Sequence, residues 1–200
     1  MEKKRRQKLI VLIIFRAIIL VALGTSIFYK TWFNVFILVL TFILSFLPDF
    51  IERKLDVDYP NEFEFSILFF VFASLYLGEV KNFYYHIWWW DLMLHTLSGV
   101  IMGLFAFSLV YVLNDKKVLS MNPFFIVLFS FSFAVMIGSF WEIVEFTIDN
   151  LFGLNTQKSG LVDTMWDIIV NFIGAIFISS IGYIYIKSKG VFFRLNSSNK

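Results

Sequence analysis

Long apolar runs separated by short polar segments dominate the sequence. A bilayer core about 30 Å thick is crossed by roughly 20 apolar helical residues, and the runs approach that length. The pattern predicts helices over about residues 9–29, 32–47, 61–80, 91–113, 123–148 and 164–186. The third helix is the weakest of these, because its uninterrupted apolar part is short. The sequence therefore predicts an all-α, polytopic membrane helix bundle of about six helices, with residues 1–200 as a single integral membrane domain.

Composition supports a membrane protein and excludes several functions. Hydrophobic residues make up 59% of the chain and charged residues 16%, whereas soluble domains average about 45–50% and 25%. Cysteine is absent, so disulfides, thiolate metal sites and cysteine nucleophiles are excluded. The net charge of +2 comes without a basic stripe, and we expect no nucleic-acid partner.

The distribution of lysine and arginine predicts the orientation, since these residues concentrate on the cytoplasmic side of a membrane. With a cytoplasmic N-terminus, only Lys30, Lys81 and Lys158 lie outside, while the other basic residues lie inside or, for Arg16, within the first helix. Both termini are therefore predicted to be cytoplasmic. We interpret Arg16 as a side chain that extends back to the cytoplasmic headgroups rather than one paired for function. The aromatic segment 82–90 is typical of an interfacial anchor.

Each of the last three predicted helices carries one polar stripe at helical spacing. The stripes are Asp91, His95 and Ser98; Glu142, Glu145 and Asp149; and Asp163, Asp167 and Asn171. In the predicted orientation all three lie in the outer part of the membrane, so they can face a shared cavity beneath the loop 150–162. Acids inside a membrane are energetically costly and suggest function.

The chemistry of these stripes predicts a carboxylate and histidine site. Six carboxylates stand against one histidine and Lys158, and at low dielectric they need protons or a cation to balance them. We expect Glu142, Glu145, Asp163 and Asp167 as ligands of a divalent cation. Oxygen ligands favour Mg²⁺, Mn²⁺ or Ca²⁺, and His95 also admits Zn²⁺ or iron.

We assign the remaining roles from side-chain chemistry. His95, oriented by Asp91, is expected to act as a general base or acid, with Glu142 and Asp167 as further catalytic residues. Asn171, Lys158 and Ser98 are expected to bind substrate. The sequence has no HExxH, P-loop, GxSxG or dinucleotide-binding pattern, which removes many enzyme classes.

Small residues within the helices have a different interpretation. They are Gly99, Gly103, Gly138 and Gly174. Glycines in membrane helices allow close helix approach, so these positions are expected to shape the bundle rather than to take part in chemistry.

Three ordered motifs resemble the bacterial YjdF-type integral membrane proteins. They read WDLMLHTLSG at 90–99, GSFWEIVEF at 138–146, and GLNTQ at 153–157 followed by GLVDTMWDIIVN at 160–171. The resemblance covers about residues 65–186, while the first two helices are generic.

The chain is also similar, more distantly, to VanZ-like membrane proteins, in which matching polar helices occur in the same order. The matching positions are Asp91, His95, Glu142, Asp163, Asp167 and Asn171. Leu92 stands where a lysine is frequent in those proteins, and Glu145 where glutamine is commoner. This resemblance implies a lipid-headgroup substrate.

Three functional hypotheses follow. The first is a metal-dependent hydrolase or transferase that processes a phosphate-linked lipid headgroup at the outer face of a bacterial cell membrane, with membrane lipids as partners. The second is a transporter or channel for cations or protons that uses the acids as its pathway. The third is a non-catalytic scaffold or resistance accessory protein, in which the polar groups lock helix packing. The sequence leaves the oligomeric state open.

Overall fold

The computed structural model describes the backbone of residues 2–55 and 61–197 and the side chains of 9–50, 54 and 64–188. Most basic residues of the two termini, which favour the predicted orientation, have side chains outside these ranges. The helices are α1 Glu2–Phe28, α2 Trp32–Leu44, α3 Leu47–Leu55, α4 Asn61–Val71, a π-helix Phe72–Val80, α5 Phe83–His86, α6 Trp90–Asp115, α7 Pro123–Phe152 and α8 Leu161–Ser197. No strand occurs within the described backbone, which confirms the all-α prediction.

Helix lengths agree with a multi-pass membrane protein. The segments long and apolar enough to cross a membrane are Leu9–Phe28, Trp32–Phe50, Trp90–Asp115, Pro123–Phe152 and Leu161–Ser188. The predicted third helix, 61–80, is also helical throughout, as α4 followed directly by the π-helix. The prediction of about six membrane helices is therefore confirmed. The chain groups into two compact units, Met1–Trp90 and Asp91–Lys200, so a single integral domain stays a prediction.

Arg16 forms a paired polar network within the first unit. Its guanidinium donates to the Ser45 hydroxyl at 3.2 Å, to the Ser45 carbonyl at 3.0 Å and to Asp49 Oδ2 at 3.3 Å. The same guanidinium lies 3.8 Å from the centroid of the Phe46 ring. The donors of Arg16 are thus used by the chain segment that follows α2, whereas extension of its side chain to the headgroups stays a prediction.

The second helix ends earlier than predicted, at Leu44 instead of residue 47. Ser45 donates its hydroxyl back to the Phe42 carbonyl at 2.7 Å, and the amide of Phe46 bonds to Ile43 in a tighter turn. Pro48 has no amide hydrogen to continue the α-helical pattern and is tolerated in a first turn. The chain therefore breaks and resumes as α3, which brings Ser45 and Asp49 to Arg16.

Close helix packing organises the second unit. A Cβ atom at Gly99 on α6 would collide with the backbone oxygen of Asn171 on α8, and one at Gly174 with the backbone oxygen of Thr96. The glycines therefore let the α6 and α8 backbones touch, as their interpretation as packing positions predicts. On α7 a buried stripe recurs every four residues, comprising Ile126, Ser130, Ala134, Gly138 and Glu142.

Two glycines set the ends of the loop between α7 and α8. α7 runs to Phe152 rather than 148, and Gly153 follows it with φ of +65°. Gly160, with φ of +64°, immediately precedes α8, which begins at Leu161 instead of 164. Such left-handed conformations favour glycine and are common after helix ends. The loop 153–160 is consequently shorter than predicted, and Asp163 lies in the first turn of α8.

Candidate functional site

Four ionisable side chains from α6, α7 and α8 meet in the second unit, and we call Asp91, His95, Glu142 and Asp167 the acid–histidine cluster. His95 Nε2 lies 3.6 Å from Asp91 Oδ1 and 3.6 Å from Glu142 Oε1. Both distances exceed a hydrogen bond. One potential ligand atom from each of Asp91, His95 and Asp167 lies within 4.8 Å of the others. The predicted convergence of the three stripes therefore involves one or two residues from each helix.

The cluster buries carboxylates whose oxygens lack hydrogen bonds of good geometry. Glu142 is 4% exposed and Asp167 is 2% exposed. Within the described part of the chain, neither carboxylate oxygen of Glu142 nor Oδ1 of Asp167 makes a hydrogen bond of good geometry, although the Thr164 hydroxyl interacts with Glu142. Buried polar atoms are nearly always hydrogen-bonded, and an exception requires an explanation such as an ion or a catalytic role. These oxygens are therefore placed to accept a ligand from outside the chain.

Lys158 brings a positive charge to the edge of the cluster. Its Nζ donates to Asp91 Oδ2 at 2.7 Å, while the other oxygen of the same carboxylate faces His95. The Lys158 side chain is 27% exposed and that of Asp91 13% exposed. The contact confirms that the loop between α7 and α8 reaches the site, as the sequence predicts.

The loop that carries Lys158 has a dense hydrogen-bond frame. Asp149 Oδ1 accepts from the amide and the hydroxyl of Thr156, both at 2.8 Å, and its Oδ2 accepts from the Gln157 amide at 2.9 Å. Gln157 in turn donates to the Thr164 hydroxyl at 2.7 Å. These bonds hold the backbone immediately before Lys158, so the lysine is presented from an ordered loop.

Asn171 lies one turn beyond Asp167 on α8. It is 2% exposed, its side chain occupies the space that a Cβ at Gly138 would need, and its Nδ2 donates to the backbone oxygen of His95 at 3.4 Å. The structure thus places this predicted substrate-binding residue behind His95. Its observed contact supports the position of the α6 backbone.

The remaining predicted site residues lie around the cluster. Glu145 is half-buried, and its Oε1 accepts from the Trp141 indole at 3.0 Å. Asp163 is half-buried in the first turn of α8, and Ser98 is half-buried one turn beyond His95. None of these three belongs to the group of ligand atoms found among the described residues. The predicted ligand roles of Glu145 and Asp163 therefore stay predictions.

The donor set fits a divalent cation. Two carboxylates and one imidazole, from Asp91, Asp167 and His95, suit Mn²⁺, Zn²⁺ or iron, and the carboxylates also suit Mg²⁺. A set of three protein ligands leaves coordination positions for water or substrate. Of the four residues predicted as ligands, Asp167 belongs to this group and Glu142 lies beside it.

Two contributors to the site were not singled out from the sequence. Trp141 holds Glu145, and Thr164 holds Gln157. The four-residue spacing from Trp141 to Glu145 is a recognisable signal for a contact within one helix. The contact of Gln157 with Thr164 depends on the loop conformation between Gly153 and Gly160 and has no equivalent signal in the sequence.

Comparison with known proteins gives a family match over most of the chain. Residues 8–188 match the family described as "Predicted membrane protein (DUF2238)". An "Uncharacterized protein" of Thermotoga maritima is 31% identical over 150 residues, which cover 74% of this chain and 75% of the relative. No solved structure matches. The family match includes the first two helices, which the motif resemblance had left out.

Proposed function

The chain belongs to the DUF2238 family of predicted membrane proteins, as its YjdF-type motifs indicated, and we propose that it is a membrane-embedded enzyme of the bacterial cytoplasmic membrane. Its substrate is a phosphate-linked lipid headgroup in the outer leaflet. Its reaction is hydrolysis or transfer at phosphorus, and its active site is the acid–histidine cluster.

One observation carries this proposal: the carboxylates of Glu142 and Asp167 are buried in the cluster with His95, and their oxygens lack hydrogen bonds of good geometry. A purely structural polar cluster would be more stable with those oxygens paired or replaced by apolar groups. Retaining unpaired acids at low dielectric is instead typical of sites that bind a cation or transfer protons.

Asp91, His95 and Asp167 are the residues that would hold the cation, since their potential ligand atoms converge. A bound divalent cation supplies Lewis acidity toward a phosphoryl oxygen. This assignment differs from the sequence-based hypothesis, in which Glu142 is a ligand and His95 transfers the proton. We reverse those roles because His95 belongs to the converging group while both Glu142 oxygens lack hydrogen bonds of good geometry.

The residues of the chain account for the proton movements. The attacking hydroxyl group belongs to water or to an acceptor alcohol. As the oxygen of this hydroxyl group bonds to phosphorus, Glu142 takes its proton. The bond from phosphorus to the leaving oxygen breaks, and Glu142 returns the proton to that oxygen. Lys158 binds a non-bridging phosphoryl oxygen from the loop side, and Asn171 keeps the His95 backbone in place.

Packing beyond the cluster favours an enzyme over a transporter. Asn171 is pressed against Gly138 and the His95 carbonyl, and further along α7 Ser130 donates to the Gly103 backbone oxygen at 2.7 Å. These contacts pack α6 against α7 and α8 at two levels, one turn beyond Asp167 at Asn171 and about three turns beyond Glu142 at Ser130. A site that opens on one side of the membrane suits headgroup chemistry better than conduction.

Mass-spectrometric lipid profiling tests the proposal. A host expressing the protein would be compared with the empty vector and with His95→Ala at matched membrane levels. The chain contains two histidines, and His86→Ala is the matched control because His86 is exposed in the interfacial segment. We expect a headgroup change with wild type and His86→Ala but not with His95→Ala.

Two results would contradict the proposal. A lipid profile identical to the empty vector, in a host whose outer leaflet contains phosphatidylglycerol and phosphatidylethanolamine, argues against headgroup processing. A cation or proton flux in proteoliposomes that disappears with Glu142→Gln would instead assign the acids to transport.

A further inference from the structure

The two carboxylate oxygens of Asp91 face different basic residues, His95 and Lys158. Oδ1 faces His95 Nε2 at 3.6 Å, within the group that would hold the proposed cation, and Oδ2 accepts from Lys158 at 2.7 Å. A divalent cation near Oδ1 would repel the lysine ammonium at this short range. Lys158 and the cation therefore compete for the same negative charge.

Hydrogen bonds in the loop 153–160 hold its backbone and leave the Lys158 side chain able to move. Hydrogen bonds from Thr156 and Gln157 to Asp149 hold the backbone before Lys158, and the Gln157 side chain is tied to Thr164. The lysine side chain has four rotatable bonds and is partly exposed. Lys158 can therefore leave Asp91 by side-chain rotation alone, without refolding of the loop.

On these grounds we propose that Lys158 couples phosphoryl binding to cation binding. Without a divalent cation, its ammonium neutralises Asp91; with the cation bound, the ammonium is released to bind the phosphoryl group of the substrate. The inference rests on the proposed function, and it adds an order of binding: the cation first, the phosphoryl anion second.

Charge balance in the cluster explains this order. Asp91, Glu142 and Asp167 surround the position that the phosphoryl group must approach, and acidic groups offer an approaching anion no positive charge. While Lys158 is paired with Asp91, its charge is already used. The cation reverses both conditions, since it offsets the carboxylates and makes the lysine available to a phosphoryl oxygen.

Mn²⁺ binding to the purified full-length protein in maltoside detergent tests the competition, with free Mn²⁺ followed by electron paramagnetic resonance. Lys158→Met removes the competing charge, and we expect it to bind Mn²⁺ about tenfold more tightly than wild type. Lys158→Arg retains the charge and is expected to stay within about twofold of wild type. Lys81→Met is the matched control for the loss of an exposed lysine and is expected to leave the affinity unchanged.

The phosphoryl arm uses ³¹P nuclear magnetic resonance, because a phosphorus atom next to bound Mn²⁺ is strongly broadened. Inorganic phosphate and nanodiscs of phosphatidylcholine with phosphatidylglycerol distinguish a free anion from a lipid headgroup. We expect broadening for wild type and Lys81→Met, and at least a tenfold loss of it for Lys158→Met at saturating Mn²⁺.

The failures of the two proposals can be told apart. If wild type binds Mn²⁺ and Lys158→Met binds it equally well, the coupling is overturned while the cation site stands. If Lys158→Met retains full ³¹P broadening, Lys158 is not the phosphoryl ligand. If wild type binds no divalent cation, the cation-dependent function and the coupling both fail.

Discussion

Two polar networks of this protein contain charged side chains in apolar helices, and they differ in how those side chains are paired. Around Arg16, donors and acceptors are matched: the guanidinium bonds to Ser45 and Asp49 and rests on the Phe46 ring. In the acid–histidine cluster, carboxylate oxygens of Glu142 and Asp167 lack hydrogen bonds of good geometry. Both networks place charge inside segments apolar enough to cross a membrane.

The pairing of a buried charged side chain helps to tell a structural role from a functional one. A matched network supports the fold, because breaking it exposes an unpaired group. An unmatched network weakens the fold unless something outside the chain completes it, as we propose for the acid–histidine cluster. A charged residue in a membrane helix is thus a weaker indication of function than a buried charged group whose hydrogen-bonding atoms lack partners.

The largest effect is expected from Asp167→Asn. The neutral side chain keeps the shape but removes a charged ligand, so Mn²⁺ affinity should fall by about 100-fold or more. The protein without a cation should melt at the same temperature or higher, since an ionisable group is removed from a buried position. Titration and thermal unfolding in detergent measure both. Asp115→Asn, at an exposed position, should change neither; a large fall in melting temperature with Asp167→Asn would instead make the cluster structural.

Arg16→Met should show the opposite pattern. Loss of three hydrogen bonds and of the charge beside Asp49 is expected to lower the free energy of unfolding by about 3 kcal/mol. Mn²⁺ affinity should be unchanged. Adding Asp49→Asn should recover part of the stability, because it removes the carboxylate that has lost its Arg16 partner. A loss of cation binding without loss of stability would contradict the assignment of Arg16 to the fold.

Gly99→Ala tests the packing that supports His95. Its Cβ would meet the Asn171 backbone oxygen, and such overpacking typically costs about 1–3 kcal/mol. Gly24→Ala is the matched control, since nothing lies within 4 Å of its added Cβ, and helix propensity predicts a gain of up to about 1 kcal/mol. Equal effects of the two substitutions on thermal unfolding would argue against direct contact of α6 with α8.

The smallest effect is expected from Asp149→Asn. The amide keeps an acceptor for Thr156 but cannot accept from the Gln157 amide as Oδ2 does, and the loss of one hydrogen bond is worth about 1 kcal/mol. Hydrogen exchange at Gln157 and Lys158 should accelerate while exchange within α6 stays unchanged. Unaltered exchange in the loop would show that Asp149 does not hold it.

Sequence patterns predicted the parts of this structure that depend on local periodicity. Helix spacing brought Asp91 and His95 onto one face, and order along the chain brought Glu142 and Asp167 to the same region. The patterns could not show which acid on each stripe turns inward. On α7 that choice follows from the small-residue stripe through Gly138, which buries Glu142 and leaves Glu145 with Trp141.

The sequence patterns also could not predict contacts between residues that are far apart along the chain. The partners of Arg16 come 29 and 33 residues later, after a helix break that the apolar run conceals. Asn171 resembled a substrate ligand because it continues a polar stripe, but only the three-helix packing shows that its amide reaches the His95 backbone.

Electron spin-echo envelope modulation of bound Mn²⁺ tests whether the acid–histidine cluster holds a divalent cation through His95. The protein would be prepared with ¹⁴N- or ¹⁵N-histidine, so that a directly coordinated imidazole gives an isotope-dependent modulation. We expect about one Mn²⁺ per chain with this modulation in wild type and His86→Ala, and its loss in His95→Ala. The same modulation in His95→Ala would show that His95 is not the ligand, and no Mn²⁺ bound to wild type would show that the cluster does not hold this cation.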